Sequence, residues 1–377
     1  MKVLSVIGTR AEAVKMAPVV KALSRSSYFE SKLCVTAQHR EMLDQVLNIF
    51  NIKPDIDLDL MRPNQSLAQI TARVFIHLDP VLEQIKPDWL LTQGDTTTVM
   101  ASALLGFYHR VKVGHVEAGL RTGDKWQPFP EEVHRKIAGV VADLNFAPTQ
   151  RSRQNLLKEG VPDHNIAVTG NTVVDALYSV KDKPDCEQVK LLLDELKISN
   201  DNKKLILVTA HRRENHGKPL ENICLALKEI AEHYAGQVEI VYPVHLNPNV
   251  QNTVKTLLKN VKHITLLDPL DYLPLVQLQN HAKLILTDSG GIQEEATALG
   301  KPVLVLREKT ERPEGVEAGV LKLIGTDKNR IVQETRQLLE DVKTYQKMTS
   351  ISNPFGDGKA AEKILQAIRD FEGQENQ

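Results

Sequence analysis

Residues 284–299, LILTDSGGIQEEATAL, join an apolar run to a polar Asp-Ser-Gly-Gly turn and the start of a helical pattern. The leucine-rich run predicts a buried strand, and Ile292, Glu295 and Leu299 recur at helical spacing. Glycine lets the backbone approach a ligand, and a helix N-terminus offers free N–H groups to an anion. The stretch therefore predicts a strand–turn–helix unit that binds an anionic group, although a plain capped turn would use the same residues.

The same kind of unit recurs along the whole chain. Short apolar runs alternate with longer helical patterns, which indicates parallel α/β sheets. The predicted strands are residues 3–7, 33–36, 89–92, 111–114 and 144–147, then 205–209, 238–242, 264–267, 284–287 and 303–306. The two sets predict two Rossmann-like, doubly wound domains, residues 1–169 and 170–354. A further strand is predicted to end at Gly170, at the boundary between them. A last amphipathic helix, from Lys359 to about Phe371, needs an apolar surface to cover.

Composition narrows the class of protein. The chain has 377 residues, 42% of them hydrophobic, and its 47 basic and 48 acidic side chains give a net charge of −1. This balance argues against nucleic acid or an anionic membrane as the main partner. No apolar run approaches the roughly 18 residues that cross a bilayer. Cys34, Cys186 and Cys224 are interpreted as small apolar residues in a reducing compartment, so we expect a cytoplasmic protein.

Polar clusters follow nearly every predicted strand. In open parallel sheets, ligands bind outside the carboxyl ends of the strands. The clusters are residues 8–10, 38–40, 93–95, 115–121, 211–215, 245–248, 288–291 and 307–315. If the two domains face each other along these edges, all the clusters line one cleft.

Basic side chains near the Asp-Ser-Gly-Gly turn favour a diphosphate there. They are Arg212, Arg213, Arg307, Lys309 and Arg312. Glu295 is predicted to bind ribose hydroxyls, and Glu294 to stabilise the helix dipole. The first predicted turn adds cations at Arg10 and Lys15. It lacks the Gly-x-Gly-x-x-Gly and Walker A patterns, which argues against NAD and ATP.

Four acids, Asp95, Glu117, Glu131 and Glu132, fall within 38 residues. Each alone could be a helix cap or the partner of an arginine, but together they predict proton transfer at a ligand whose phosphates are held elsewhere. His211 is the natural partner, because imidazole titrates near neutrality. No Gly-x-Ser-x-Gly elbow supports a Ser-His-Asp triad, and no histidine pair at helical spacing supports a metal site.

These residues resemble the non-hydrolysing UDP-N-acetylglucosamine 2-epimerases nearly end to end. The matching motifs include GTR at 8–10, HVEAGLR at 115–121, PEE at 130–132, HRREN at 211–215, DSGGIQEE at 288–295 and TERP at 310–313. The resemblance implies a GT-B-type fold whose C-terminal helix, residues 355–377, packs back on the first domain. It also implies reversible conversion of UDP-N-acetylglucosamine to UDP-N-acetylmannosamine. UDP is eliminated to give 2-acetamidoglucal and is then re-added.

The resemblance carries roles to individual residues. The implied catalytic residues are Asp95, Glu117, Glu131 and His211. The implied or candidate substrate-binding residues are Arg10, Lys15, Arg212, His245, Leu275, Ser289, Gly290, Gly291, Glu295 and Arg312. Gln38 and Arg73 are candidates for a second, activating site. The resemblance further implies a homodimer, a UDP-sugar as the partner and neither cofactor nor metal.

The sequence departs from the family pattern at three positions. Ala11 stands where proline is usual, His134 where asparagine is usual, and Leu275 where an aromatic residue often lies near the uracil. His134 lies one helical turn from Glu131, so it can alter the hydrogen bonding or the pH dependence of the acid–base residues. The substrate can therefore be a modified sugar. The alternatives are an epimerase of a related UDP-2-acetamido sugar, a GT-B glycosyltransferase and a non-enzymatic sugar-nucleotide sensor.

Overall fold

A computed structural model of the chain describes residues 1–36, 40–60, 62, 65–198 and 203–375. The chain forms two compact units, Met1–Tyr178 with Phe355–Gln377, and Ser179–Pro354. Within the described ranges, no helix is both long enough and apolar enough to span a membrane.

The first unit contains a parallel sheet, seven-stranded within the described ranges. Its strands are β1 (Lys2–Ile7), β2 (Glu30–Val35), β3 (Ile56–Asp57), β4 (Trp89–Gln93), β5 (Lys112–Val116), β6 (Leu144–Ala147) and β7 (Ile166–Val168). Its α-helices include α1 (Arg10–Arg25), α2 (Arg40–Ile49), α3 (Leu67–Ile85), α4 (Thr97–Tyr108), α5 (Glu131–Val141), α6 (Gln150–Lys158) and α7 (Thr172–Tyr178). The spatial order β3-β2-β1-β4-β5-β6-β7 reverses its winding between β1 and β4. This reversal is the switch point of the sheet.

Threonine hydroxyls cap the helices that follow β1 and β4. Thr9 Oγ1 accepts a hydrogen bond from the backbone of Glu12, 3.4 Å away, and Thr96 Oγ1 accepts one from Val99 at 3.3 Å. An N-cap oxygen satisfies one of the N–H groups that the first turn of a helix leaves unpaired. The caps therefore keep the residues of these two loops at the carboxyl edge of the sheet.

The second unit repeats the plan with a six-stranded parallel sheet in the part of the chain that the structure describes. Its strands are β8 (Lys204–Thr209), β9 (Val238–Pro243), β10 (Ile264–Leu267), β11 (Ala282–Thr287), β12 (Val303–Val305) and β13 (Leu321–Leu323). Its α-helices include α8 (Glu187–Glu195), α9 (Lys218–His233), α10 (Pro248–Leu258), α11 (Tyr272–His281), α12 (Gly290–Ala298), α13 (Pro313–Ala318), α14 (Lys328–Glu340) and α15 (Val342–Thr349). The order β10-β9-β8-β11-β12-β13 reverses between β8 and β11. Two doubly wound parallel sheets confirm the predicted α/β class.

The last helix, α16 (Ala360–Glu375), belongs to the first unit. Its first turn is capped across the chain, because Asp175 Oδ1 accepts a hydrogen bond from the backbone of Ala361 at 2.8 Å. Near its other end, Phe371 packs edge-to-face on Trp89 with ring centroids 5.5 Å apart. Helix α7, which carries Asp175, contacts both α1 and α16. The first unit therefore includes α7, whereas the predicted boundary at residues 169/170 falls before that helix.

Candidate active site

Glu117 follows β5 directly and is held by three side chains of the first unit. Its Oε1 is 2.5 Å from Lys15 Nζ and 2.8 Å from Asn171 Nδ2, and its Oε2 accepts a hydrogen bond from Gln93. The residue is 8% exposed and has a positive φ of 65°, which non-glycine residues adopt rarely. The structure thus brings together two of the predicted site residues, Lys15 and Glu117.

Asp95 lies in the loop after β4 and is fixed by helix α5. Arg135 approaches Asp95 Oδ2 with Nη2 at 2.7 Å and Nε at 2.9 Å. His134 Nδ1 bonds to the backbone carbonyl of Asp95 at 2.9 Å. The histidine that replaces the usual asparagine therefore contacts the loop of a predicted catalytic acid. Arg135 supplies the positive charge, so Asp95 has the arginine partner that the sequence allowed as an alternative for each acid.

Glu131 is the first residue of α5, one turn before His134 and Arg135. Its Oε2 is buried and has no hydrogen-bond partner among the described residues. Its neighbour Glu132 is 1% exposed, and accepts hydrogen bonds from the backbone of Gly123 at 3.0 Å and from Arg135 at 3.1 Å. Of these adjacent acids, Glu132 is bonded to both the loop and Arg135, whereas Glu131 has a carboxylate oxygen that bonds to none of the described residues.

The three acids lie along one edge of the first sheet. A methyl group added to Gly94, next to Asp95, would lie 3.8 Å from Glu117 Oε2. His115 Nε2 bonds to the carbonyl of Gly94 at 2.7 Å and so fixes the same turn. Burial lowers the pKa of His115 to about 4, so this imidazole is neutral near pH 7 and acts as a donor. The edge therefore combines acids with neutral or cationic groups that hold them in place.

Glu12 bridges two loops of this edge and was not among the predicted site residues. Its carboxylate accepts hydrogen bonds from the backbone of Gly8 at 2.7 Å and from the hydroxyl of Thr9 at 3.0 Å, and Thr96 bonds to it as well. Burial raises its pKa to about 7, and the charge of Asp95 acts in the same direction. Arg10, the half-buried first residue of α1, follows this turn.

The candidates for a second site are only partly described. Arg73 lies on α3, is half-buried and has a buried Nε without a hydrogen-bond partner among the described residues. Gln38 lies outside the described residues.

In the second unit, the turn after β11 places Ser289 as the N-cap residue of α12. A Cβ at Gly290 would lie 2.7 Å from Arg312 Nη1 and 2.8 Å from its Cζ, so any side chain there would displace the guanidinium. A Cβ on Gly291 would meet nothing within 4 Å. The arginine side chain therefore lies against the start of α12, where free N–H groups and a positive helix end favour an anion.

Two glutamates of α12 are hydrogen-bonded within the protein. Arg312 Nε is 2.7 Å from Glu294 Oε1, and its Nη1 is 2.8 Å from Glu311. From the sequence we predicted only that Glu294 stabilises the helix dipole, whereas in the structure it forms a buried ion pair with Arg312. Glu295 Oε2 accepts a hydrogen bond from Gln279 at 2.9 Å. Both acids therefore help to order the turn that carries the predicted diphosphate site.

His211, after β8, faces the same edge of the second sheet. Its backbone N–H donates to Asp288 Oδ2 at 2.8 Å, as does that of Arg212. Its ring stacks on that of His245 with centroids 5.1 Å apart. Burial lowers the pKa of His211, so the imidazole is neutral near pH 7. Leu275 lies half-buried on α11.

Comparison with known proteins decides the family. Residues 21–369 match the family profile of UDP-N-acetylglucosamine 2-epimerase. A UDP-N-acetylglucosamine 2-epimerase from Yersinia pestis is 56% identical over 376 residues, which cover 99% of each chain. The chain belongs to the UDP-N-acetylglucosamine 2-epimerase family.

Solved structures of this family support the assignment. The enzyme from Neisseria meningitidis bound to UDP-N-acetylglucosamine has a TM-score of 0.89 and 48% identity, covering 98% of this chain and 100% of its own. The enzyme from Methanocaldococcus jannaschii in complex with UDP-N-acetylglucosamine and UDP has a TM-score of 0.83 and 33% identity, covering 98% of this chain and 99% of its own. This likeness confirms the predicted GT-B-type fold.

The structure adds residues that sequence patterns of the epimerase family did not bring out. They are Glu12, Gln93, Asn171, Arg135 and Asp288, each of which contacts a predicted site residue or its loop. Asp288 and Asn171 stand inside motifs of the resemblance, at 288–295 and in GNT at 170–172, and Glu12 lies two residues after GTR at 8–10, which was the available signal. Among the residues that the structure describes, no group of three or more His, Cys, Asp or Glu side chains is arranged to hold a metal ion.

Proposed function

We propose that the chain interconverts UDP-N-acetylglucosamine and UDP-N-acetylmannosamine by elimination and re-addition. A base removes the C2 proton, the C1–O bond breaks with its electron pair leaving on UDP, and a C1=C2 double bond forms. UDP then attacks C1 while C2 receives a proton on the opposite face. Bonds and electrons balance without an external oxidant, so the reaction needs proton carriers and a diphosphate site but no redox cofactor.

The proton chemistry is proposed for the carboxylates at the edge of the first sheet, and this cluster is the observation that carries the function. Asp95 and Glu117 are paired with Arg135 and Lys15. Glu131 keeps a buried oxygen without a hydrogen-bond partner among the described residues. Acids with different partners can hold different protonation states, as two-sided proton transfer at C2 requires. A site built only to bind a nucleotide would not collect them.

The leaving UDP is proposed to bind at the start of α12. Gly290 and Gly291 are the first residues of α12, so their backbone N–H groups have no acceptor within the helix, and Arg312 lies against Gly290. Ser289 precedes them as the N-cap residue, without a side-chain cap hydrogen bond. Such a helix start stabilises the diphosphate as its charge increases on leaving. Glu295 is proposed to bind the ribose. His211 is proposed to act on the substrate as a neutral imidazole.

The decisive experiment is proton NMR of UDP-N-acetylglucosamine with the full chain in deuterium oxide. The expected result is deuterium at C2 together with the manno product. Unchanged C2 protons in the absence of an acceptor would instead fit a glycosyltransferase or a sensor. If deuterium enters C2 only with a related UDP-2-acetamido sugar, that sugar is the substrate.

Assembly and regulation complete the proposal. We expect a cytoplasmic homodimer, since the family resemblance implies one, and light scattering should give twice the chain mass. Gln38 and Arg73 are proposed to contribute to a second, activating UDP-N-acetylglucosamine site. Arg73→Ala should then reduce the sigmoidal dependence of rate on substrate, while a hyperbolic wild-type curve would refute that site.

A further inference from the structure

Asp288 is a fully buried carboxylate at the carboxyl end of β11, with 0% of its surface exposed. Its Oδ2 accepts hydrogen bonds from the backbone of His211 and Arg212, both at 2.8 Å, and from Asn215 Nδ2 at 2.9 Å. These bonds fix the loop after β8. They therefore fix the backbone from which the His211 ring projects.

The other carboxylate oxygen of Asp288, Oδ1, does not bond to this loop. Oδ1 is buried and accepts no hydrogen bond from the described residues. Leaving a buried acceptor unsatisfied is unfavourable, so such an atom calls for an explanation. Nδ1 of His211 is 3.7 Å from Oδ1, just beyond hydrogen-bond range. The same carboxylate thus holds the backbone of residue 211 with one oxygen and faces its ring with the other.

We propose that Asp288 is a positioning residue, which holds His211 with its proton on Nδ1 and leaves Nε2 to meet the substrate. The inference rests on the proposed function of His211. A neutral imidazole has one protonated and one bare nitrogen, and a carboxylate beside Nδ1 selects the Nδ1–H tautomer. The side chain of His211 is 33% exposed, so a ligand can reach it.

The groups that face His211 act in opposite directions. Burial is the largest effect and lowers its pKa, while the charge of Asp288 raises it. His245, stacked on the ring at an interplanar angle of 14°, lowers the pKa further, as do Arg212 and His216. The ring is therefore neutral near pH 7, where its tautomer decides which nitrogen can accept a proton.

The test is nitrogen-15 NMR of histidine-labelled full chain without substrate, with His211→Gln used to assign the signals. In the unmodified protein, the shifts should show Nδ1–H and a bare Nε2 above the pKa. In Asp288→Asn, the amide oxygen can still accept the backbone N–H groups, but the amide nitrogen should donate to Nδ1 and move the proton to Nε2. Turnover should fall by about two to four orders of magnitude, while the Kd for UDP changes by less than about threefold.

Asn215→Ala is the matched control, because it removes a donor to Asp288 and to the Leu306 carbonyl without touching the His211 ring. It should lower the melting temperature and preserve the Nδ1–H tautomer. An Nε2–H tautomer in the unmodified protein would overturn the proposal, and this measurement needs no variant to fold. Loss of the Nδ1–H tautomer in Asn215→Ala, or its retention with full turnover in Asp288→Asn, would also overturn it. The correct tautomer without C2 exchange would refute only the proposed epimerase function.

Discussion

The switch points of the two sheets are both bridged by a buried carboxylate, but the two bridges are built differently. Between β1 and β4, Glu12 reaches back from the first turn of α1 and is bonded by the hydroxyls of Thr9 and Thr96, which cap α1 and α4. Between β8 and β11, Asp288 stands directly after its strand and is bonded by backbone N–H groups. The first carboxylate thus accepts one backbone N–H, from Gly8, and two threonine hydroxyls, whereas the second accepts two backbone N–H groups and the side-chain amide of Asn215.

The two carboxylates also differ in the ionisable groups near them. Glu12 lies near another acid, Asp95, and its pKa is raised to about 7. Asp288 faces the imidazole of His211. This difference supports the proposed division, in which the first edge exchanges protons and the second holds the diphosphate and a neutral imidazole. Variants that separate turnover from UDP binding can test this division.

The largest expected effect is the loss of turnover in Glu131→Gln, by about two to four orders of magnitude. The buried Oε2 of Glu131 has no hydrogen-bond partner among the described residues, so the amide should fit without removing a bond to that atom. Rate assays and UDP titration calorimetry should show unchanged UDP affinity. Glu132→Gln is the neighbouring control, and it should lower the melting temperature because Glu132 is paired with Arg135. Wild-type turnover in Glu131→Gln would contradict the division.

The second prediction concerns the pH dependence of stability at Glu12. Unfolded, Glu12 titrates near 4.5, whereas in the fold it keeps its proton up to about pH 7. Between these values the native state binds more protons, so the contribution of Glu12 to stability is complete below about pH 4.5 and is lost as the pH rises to about 7. The difference amounts to about 3 kcal/mol.

Glu12→Gln removes this titration, so its free energy of unfolding should be compared with that of the wild type by urea titration from pH 4.5 to 8. The wild type should lose about 3 kcal/mol relative to the variant over that range. If the difference in free energy of unfolding between the two proteins stays constant with pH, Glu12 does not exchange a proton in this range. The contrast drawn between Glu12 and Asp288 would then be weaker.

The third prediction tests the anion-binding edge of the second unit. Gly290→Ala should force the Arg312 guanidinium away from Glu294, lower the melting temperature and weaken UDP binding by about tenfold. Gly291→Ala is the matched control, since a Cβ there meets no protein atom within 4 Å and should leave the melting temperature unchanged. Equal melting temperatures for the two variants would contradict the packing argument.

Much of the fold followed from the sequence, because apolar runs and glycine-containing turns are local signals. The two-residue β3 and three-residue β13 were too short for such a signal and were not predicted. The strand-end rule predicted that Asp95 and Glu117 share an edge. The pairing of Lys15 with Glu117 joins residues 102 positions apart, and it depends on how β1, β4 and β5 align. No local pattern encodes such a contact, and the same holds for Arg312 with Glu294.

The smallest expected effect concerns α16, the C-terminal helix that belongs to the first unit. Asp175 is 8% exposed and accepts the backbone N–H of Ala361, so Asp175→Ala should cost about 1 kcal/mol, as the loss of a helix cap does. Hydrogen exchange should become faster in α16 and stay unchanged in α12, since the cap belongs to the first unit. Asp175→Asn keeps an acceptor oxygen and should lose less. Equal exchange in α16 for both variants would show that the apolar packing of Phe371 on Trp89, rather than the cap, holds this helix in place.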